Sequence, residues 1–251
     1  MKLVLITALG VGGATVIGSL MGFACKKVTH RFTDIVLAFA AGVMLAAAVL
    51  GLIVPSVEYG GKYGLLITVA GIFAGALSLN LMDKLVPHVH KLAGVEPEAH
   101  GESNERLNKV LLFVMAIAIH NFPEGIAAGV GFGSGNTTDA LIIAGGIALQ
   151  NIPEGIVTVS PLVMSGVKRT RAFVLAAVTG LIEVLGTFIG FYMAEISHHI
   201  LPFALAFAGG TMLYIISDEM IPETHSHGYE RTATYSILIG FTVMLILDVV
   251  L

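Results

Sequence analysis

The sequence predicts an all-α membrane protein of eight transmembrane helices, and three observations carry that prediction. Hydrophobic residues make up 56% of the chain and charged residues 12%, where a soluble domain carries about 25% charged residues. Apolar runs of about 20 residues, the length that crosses roughly 30 Å of hydrocarbon, recur along the whole chain with short polar breaks between them. Glycines recur inside these runs at small-xxx-small spacings, at Gly71 and Gly75, Gly125 and Gly129, and Gly186 and Gly190, which read as close helix packing in lipid. The 251 residues therefore read as one membrane domain.

The spans fall at Leu3 to Ala24, Asp34 to Val54, Tyr63 to Met82, Lys109 to Phe132, Asp139 to Val163, Arg171 to Ala194, Ile200 to Ile221, and Thr232 to Leu251. The first run exceeds a usual signal-peptide core of about 7–15 residues, and Lys26 and Lys27 follow it as a stop, so it is expected to stay in the mature protein. One cysteine, Cys25, can form no internal disulfide and is too little sulfur for a thiolate metal centre. No basic cluster points to nucleic acid. If both termini face outside, Lys26, Lys27, Arg31, Lys84, Lys91, Arg106, Lys109, Lys168, Arg169, Arg171 and Arg231 all lie in inside loops. Only Lys2 and Lys62 of the thirteen basic residues then fall outside. The one long break, Asp83 to Asn108, carries His88, His90 and His100 and reads as a solvated inside loop.

A repeated pattern marks the fourth and fifth spans: His120-Asn121-Phe122-Pro123-Glu124-Gly125 and Gln150-Asn151-Ile152-Pro153-Glu154-Gly155. Consecutive spans run antiparallel, so the two copies face each other inverted, as repeats of many transporters do. Each proline removes an amide donor and frees a carbonyl one turn back, at Ile119 and Leu149, a pattern tolerated where the helix lines a cavity. Helical spacing puts His120, Asn121 and Glu124 on one face, and Gln150, Asn151 and Glu154 on the facing one. Glu183 adds a third carboxylate from the middle of the sixth span.

Three carboxylates at bilayer depth are costly unless neutralised, and no Lys or Arg lies in the middle of any span. The missing charge must come from protons or from a bound cation. Imidazole, amide and carboxylate together suit Zn²⁺ and its neighbours better than Cu(I). Eight of the nine histidines fall in loops or at span ends, which leaves His120 as the midplane exception. The bland alternative is an interhelical hydrogen-bonding histidine beside protonated glutamates.

At these residues the chain resembles the ZIP family of zinc and iron transporters, marked by a His-Asn-x-Pro-Glu-Gly motif in the fourth span and a related motif in the fifth. The segment Asp218-Glu219-Met220-Ile221-Pro222-Glu223 looks like that family's His-Glu-x-x-Pro-Glu, with Asp218 where a His is common. The compact length is most similar to the bacterial GufA-like and ZupT-like branches. The resemblance implies a binuclear metal site of His120, Asn121, Glu124, Gln150, Asn151, Glu154 and Glu183, with Met44 contributing from the second span. Gln150 and Asn151 are neutral where the family often has an acid or histidine, which lowers the charge of the second metal position. Glu183 is expected to reach toward that position, with Asn121 and Asn151 as partial substitutes for it.

The resemblance further implies uptake of Zn²⁺, with Fe²⁺, Mn²⁺ or Cd²⁺ as other substrates, by alternating access in a plasma or inner membrane, as a homodimer. His88, His90, His100, His225 and His227 read as residues that tune release without being required. Glu58 and Asp248 read equally as cation guides or as solvated end-of-helix acids. A metal-gated channel or sensor is a rival. An intramembrane metalloprotease is another, but it lacks the H-E-x-x-H signature and the second midplane histidine that a catalytic zinc needs. With no Walker-type loop in the chain, and no enzyme signature, a carrier without ATP is the leading expectation. The topology is checked by cysteine labelling: Ser103→Cys is expected to resist an impermeant thiol reagent in intact cells, and its modification there would reverse the assignment.

Overall fold

A computed structural model describes residues 1–24, 29–92, 120–164, 167–196 and 200–250 of the chain. Every regular element among the described residues is helical, and seven of these helices are long and apolar enough to cross a membrane. Helix α1 is Lys2–Ala24. Helix α2 begins at His30, passes through a π-helical stretch at Ala47–Ile53, and ends at Tyr59. Helix α3 is Gly64–Leu92, and α4 is the helix through residues 120–130. Helices α5 and α6 are Thr137–Met164 and Arg169–Ile196. Helix α7 runs from Leu201 to Thr224 with a second π-helical stretch at Ile216–Met220, and α8 is Glu230–Val250.

Each predicted span has a helix at its place among the described residues, with helix ends that differ from the span ends by up to ten residues, at Leu92 of α3. Residues 109–119 of the fourth span, and Lys26 and Lys27, lie outside the described residues. The expected inside loop starts later than Asp83, because α3 stays helical through Leu92. An apolar run ends where hydrocarbon ends, whereas a helix continues for as long as its own backbone bonds are made. The rest of that loop, with His100 and Ser103, also lies outside the described residues.

Local chemistry explains where helices begin and turn. Thr29 caps α2 by accepting from the amide of Phe32 at 3.2 Å, and Asn136 accepts from the Thr138 amide at 3.0 Å at the start of α5. Gly135, at a φ of 75°, makes the left-handed step that closes the turn between α4 and α5. Each π-helical stretch lies just ahead of a proline, Pro55 in α2 and Pro222 in α7. A proline amide cannot bond back, so the register loosens there, and such bulges favour functional positions.

Glycines decide which helices approach backbone to backbone. A Cβ added at Gly18 of α1 would strike the Ile152 carbonyl of α5, and one at Gly12 the Gly180 carbonyl of α6. Gly125 and Gly129 of α4 sit in the same way on Glu183 and Thr187 of α6, with Gly186 and Gly190 returning the contact. Helices α1, α4, α5 and α6 thus form one tight group. In a second group Gly42 of α2 meets Ile237 of α8, and Gly71 and Gly75 of α3 meet Phe203, Ala206 and Phe207 of α7. Between the groups the close neighbours of glycine are side chains, Ile143 against Gly51 and Met244 against Gly146. The outer faces carry large apolar side chains such as Leu65, Leu66 and Phe73, each about 70% exposed, as a lipid-facing surface requires.

Gly129→Ala is therefore expected to lower stability by about 1–3 kcal/mol through overpacking, while Gly145→Ala, whose Cβ would meet nothing within 4 Å, should be neutral or stabilising. Thermal unfolding of the detergent-solubilised variants measures the difference.

Candidate metal centre

The two proline motifs meet where α4 and α5 face each other, and a cavity of about 730 Å³ opens beside them. His120, Asn121 and Glu124 of α4 line it together with Glu154 and Thr158 of α5 and Thr15 of α1. From there it runs along α7, past Asp218, Glu219 and Glu223, to the start of α2 at Thr33. It therefore lies at the boundary of the two helix groups. Four of the sequence-predicted site residues share its wall.

Glu124 is almost fully buried, and neither of its oxygens has a hydrogen-bond partner among the described residues. The same holds for Oε1 of Glu154 and Oδ1 of Asn151. Glu124 lies within electrostatic reach of both Glu154 and Glu183, and Glu154 within reach of His120. Gln150 is fully buried beside Glu124, with no well-formed hydrogen bond to its side chain among the described residues. Buried polar atoms left unpaired cost about 1–3 kcal/mol each, so this group of acceptors is poised for a partner that brings positive charge. His120 Nε2 is 2.8 Å from Oε1 of Glu219, so the imidazole is engaged with α7 rather than with the two glutamates. Among the described residues no three His, Cys, Asp or Glu side chains stand together at metal-holding spacing. The ligand set faces one cavity without being closed around one point.

Glu183 occupies a different setting from the one expected. Its Oε1 accepts from Thr15 Oγ1 at 2.7 Å and from Asn121 Nδ2 at 2.5 Å, and its Oε2 accepts from Asn151 Nδ2 at 2.6 Å. Asn151 also donates to the Val11 carbonyl at 3.2 Å. The two asparagines are thus hydrogen-bond donors to Glu183 and not substitutes for it, and the carboxylate ties four helices together behind the cavity wall. Met44 is fully buried in the apolar core with Leu52, Ile147 and Met212, and is not among the residues lining the cavity. Its burial follows from its position one turn ahead of the α2 π-bulge, where α2 packs on its neighbours.

Thr15 and Glu219 are the partners that motif reading left out of the site. The sequence signal for Thr15 is its position with Ser19 on the glycine-bearing face of α1, between Gly12 and Gly22. The signal for Glu219 is its place inside the helical discontinuity that Pro222 announces. His225, read as a tuning residue in a mobile setting, is pinned by the Ile221 carbonyl at 2.9 Å and Thr234 Oγ1 at 3.1 Å. Glu58 is exposed, and Asp248 lies within reach of Asp139.

Fold and cavity define a polytopic helical membrane protein with an imidazole- and carboxylate-lined chamber between two helix groups. The chain belongs to the ZIP zinc transporter family, whose profile matches residues 96–248. It is 38% identical to the zinc transporter GufA of Myxococcus xanthus, over 97% of this chain and 97% of that protein. It is also 36% identical to the zinc transporter ZIPB of Bordetella bronchiseptica, over 95% of this chain and 78% of the relative. With the zinc transporter ZupT of Chlorobaculum parvum it shares 36% identity, over 93% and 91% of the two chains.

Glu183→Ala would take away the acceptor shared by Thr15, Asn121 and Asn151, leaving the two asparagines only their bonds to Thr179 and the Val11 carbonyl, and each buried hydrogen bond lost this way costs about 1–3 kcal/mol, whereas His120→Ala removes a cavity-wall group. The expected result in thermal unfolding is a clear loss of stability for Glu183→Ala and a small change for His120→Ala.

Proposed function

We propose that this chain carries divalent metal ions, zinc first, across the membrane, and that His120, Glu124 and Glu154 bind the ion in the cavity. The observation that carries the reading is the pair of buried Glu124 oxygens, without a hydrogen-bond partner among the described residues, beside Glu154 on a cavity that leads past further acids to the end of α7. Three relatives that match 93% or more of this chain are named zinc transporters, which supports zinc as the substrate. Neither a metal-gated channel nor an intramembrane protease finds support in those names, and the protein is a transporter rather than an enzyme. Asn121, Gln150, Asn151 and Glu183 complete the surroundings, with Gln150 Oε1 and Asn151 Oδ1 the amide oxygens that lack a partner among the described residues. Met44 would reach the ion only after a rearrangement of α2. Fe²⁺, Mn²⁺ and Cd²⁺ are the further substrates that this donor set accepts.

Direction and motion follow from the same features. With both termini outside, the basic loops lie inside, and the cavity mouth at Thr33, Glu223 and Ser226 opens on the cytoplasmic side of the cell membrane. Such a cavity suits release inward, that is, uptake. Alternating access would move the tight group of α1, α4, α5 and α6 against the other group, because only side chains interlock between them. His120 would leave Glu219 to complete the ligand set and return to it on release. Two copies side by side as a homodimer belong to the same reading. Protons compete with metal for carboxylate and imidazole, so acid on the binding side weakens uptake.

The test is Zn²⁺ uptake by purified protein in liposomes with inside and outside pH set separately. His120→Ala, Glu124→Ala and Glu154→Ala should each drop flux to near the background of empty liposomes at matched protein content. Flux at the parent level in Glu124→Ala or Glu154→Ala would sink the site.

A further inference from the structure

The turn between α7 and α8 holds a histidine that carriage through the central cavity leaves unused. Gly228, at a φ of 85°, reverses the chain and brings His227 back over the first turn of α2. Its ring stacks on that of His30, with centroids 4.4 Å apart and planes 27° from parallel. Its Nδ1 lies 3.0 Å from Oδ1 of Asp34. Asp34 is only 1% exposed, and its Oδ2 has no hydrogen-bond partner among the described residues. A carboxylate accepts, so Nδ1–H donates and the lone pair of the neutral ring sits on Nε2.

Nε2 points toward Glu223, whose Oε1 is 4.0 Å away. That is too long for a hydrogen bond, and the exposed Glu223 side chain needs to close it by only about 0.6 Å for the two donors to share one tetrahedral zinc ion at about 2.0–2.2 Å each. The Ser226 hydroxyl, which donates to the Glu223 carbonyl at 2.8 Å, is 3.4 Å from the same nitrogen and supplies an adjacent oxygen. Glu223 and Ser226 both line the mouth of the central cavity. The Glu223 and His227 side chains are 59% and 26% exposed, so water has access to complete a coordination sphere.

We infer that His227 Nε2 and Glu223 form a second divalent-cation site at the cavity mouth, with Asp34 orienting the imidazole from behind. A carboxylate holding the far nitrogen of a metal-binding histidine fixes its tautomer and its ring orientation, which gives the burial of Asp34 against His227 a role. Its role as a landing point for ions leaving the central site rests on the carrier reading above, whereas its chemistry does not. With two protein ligands and water for the rest, it binds more weakly than a site built from several, so an ion reaches it and leaves again. Asp34 acts as a positioning residue and does not touch the ion.

Equilibrium dialysis of the purified full-length chain in nanodiscs against buffered free Zn²⁺ tests this. The parent should bind a tight and a weaker class of Zn²⁺, and His227→Ala and Glu223→Gln should each remove one weakly bound ion per chain without changing the tight class. Asp34→Asn should keep that ion but weaken it by about 10- to 100-fold, again with the tight class as internal control for folding. Combining Glu124→Ala with Glu154→Ala should remove the tight class alone, so that failure of the central site and failure of the mouth site register separately. Binding curves of His227→Ala and Glu223→Gln that superimpose on the parent would overturn the inference and leave the Asp34–His227 pair as a bracket holding the turn to α2. Loss in His227→Ala with none in Glu223→Gln would overturn the role of Glu223.

Discussion

Glu183 accepts hydrogen bonds from Thr15, Asn121 and Asn151, and through them one carboxylate joins α1, α4, α5 and α6 at their centre. A carboxylate at lipid depth is costly to bury unless it accepts such hydrogen bonds. In return, the amides are oriented: Asn151 spends its N–H groups on Glu183 and Val11 and turns its oxygen inward, unpaired. The polarity of the cavity wall is set from behind by this network. Glu124 and Glu154 can stand unpaired at the front because the frame that carries them is satisfied elsewhere.

Such a network requires that four helices approach closely, and the glycines permit it. Gly12, Gly18, Gly125 and Gly129 let backbones meet at separations a Cβ would forbid. The group so formed is closely interlocked within itself. Against α2 and α8 it presents Ile143 and Gly146, which meet Gly51, Met244 and Ala47 through side chains that can re-pack. Rigid within and adaptable between is the arrangement that rigid-body motion of one helix group demands. The cavity lies on that boundary.

Much of this was legible in the residues themselves. Spans follow from apolar length, and the paired Pro-Glu-Gly motifs place His120, Glu124 and Glu154 on one cavity because helical spacing and antiparallel connection leave little choice. Glu183 was legible as a midplane acid, but not as a network centre. Its partner Thr15 lies on the first helix, and only the tertiary approach through Gly12 and Gly18 brings it near. The burial of Met44 in the apolar core was not legible for a related reason, since a methionine at a suitable depth points to core or cavity according to how its helix is rotated, and the neighbours decide that. Pro55 and Pro222 carried an unread signal: a proline inside a span marks a register change one turn earlier, and in α7 that change is where Glu219 emerges to meet His120.

That last contact bears on how an ion is released. In this structure His120 is paired with Glu219, so the imidazole that the central site needs is held by the opposite helix group. On the carrier reading proposed above, a cation bound by Glu124 and Glu154 would supply the positive charge that those carboxylates lack and would compete with Glu219 for His120 Nε2. An ion that took Nε2, the nitrogen now paired with Glu219, would displace that carboxylate and so couple occupancy to the contact between groups, whereas one held through Nδ1 would leave the pair intact. When the ion leaves, the pair with Glu219 re-forms and bridges the boundary on the side where the cavity is open. On the same reading, the acids that follow along α7, Asp218 and Glu223, would draw a departing ion toward the mouth rather than back to the glutamates and so keep the site free for the next cycle.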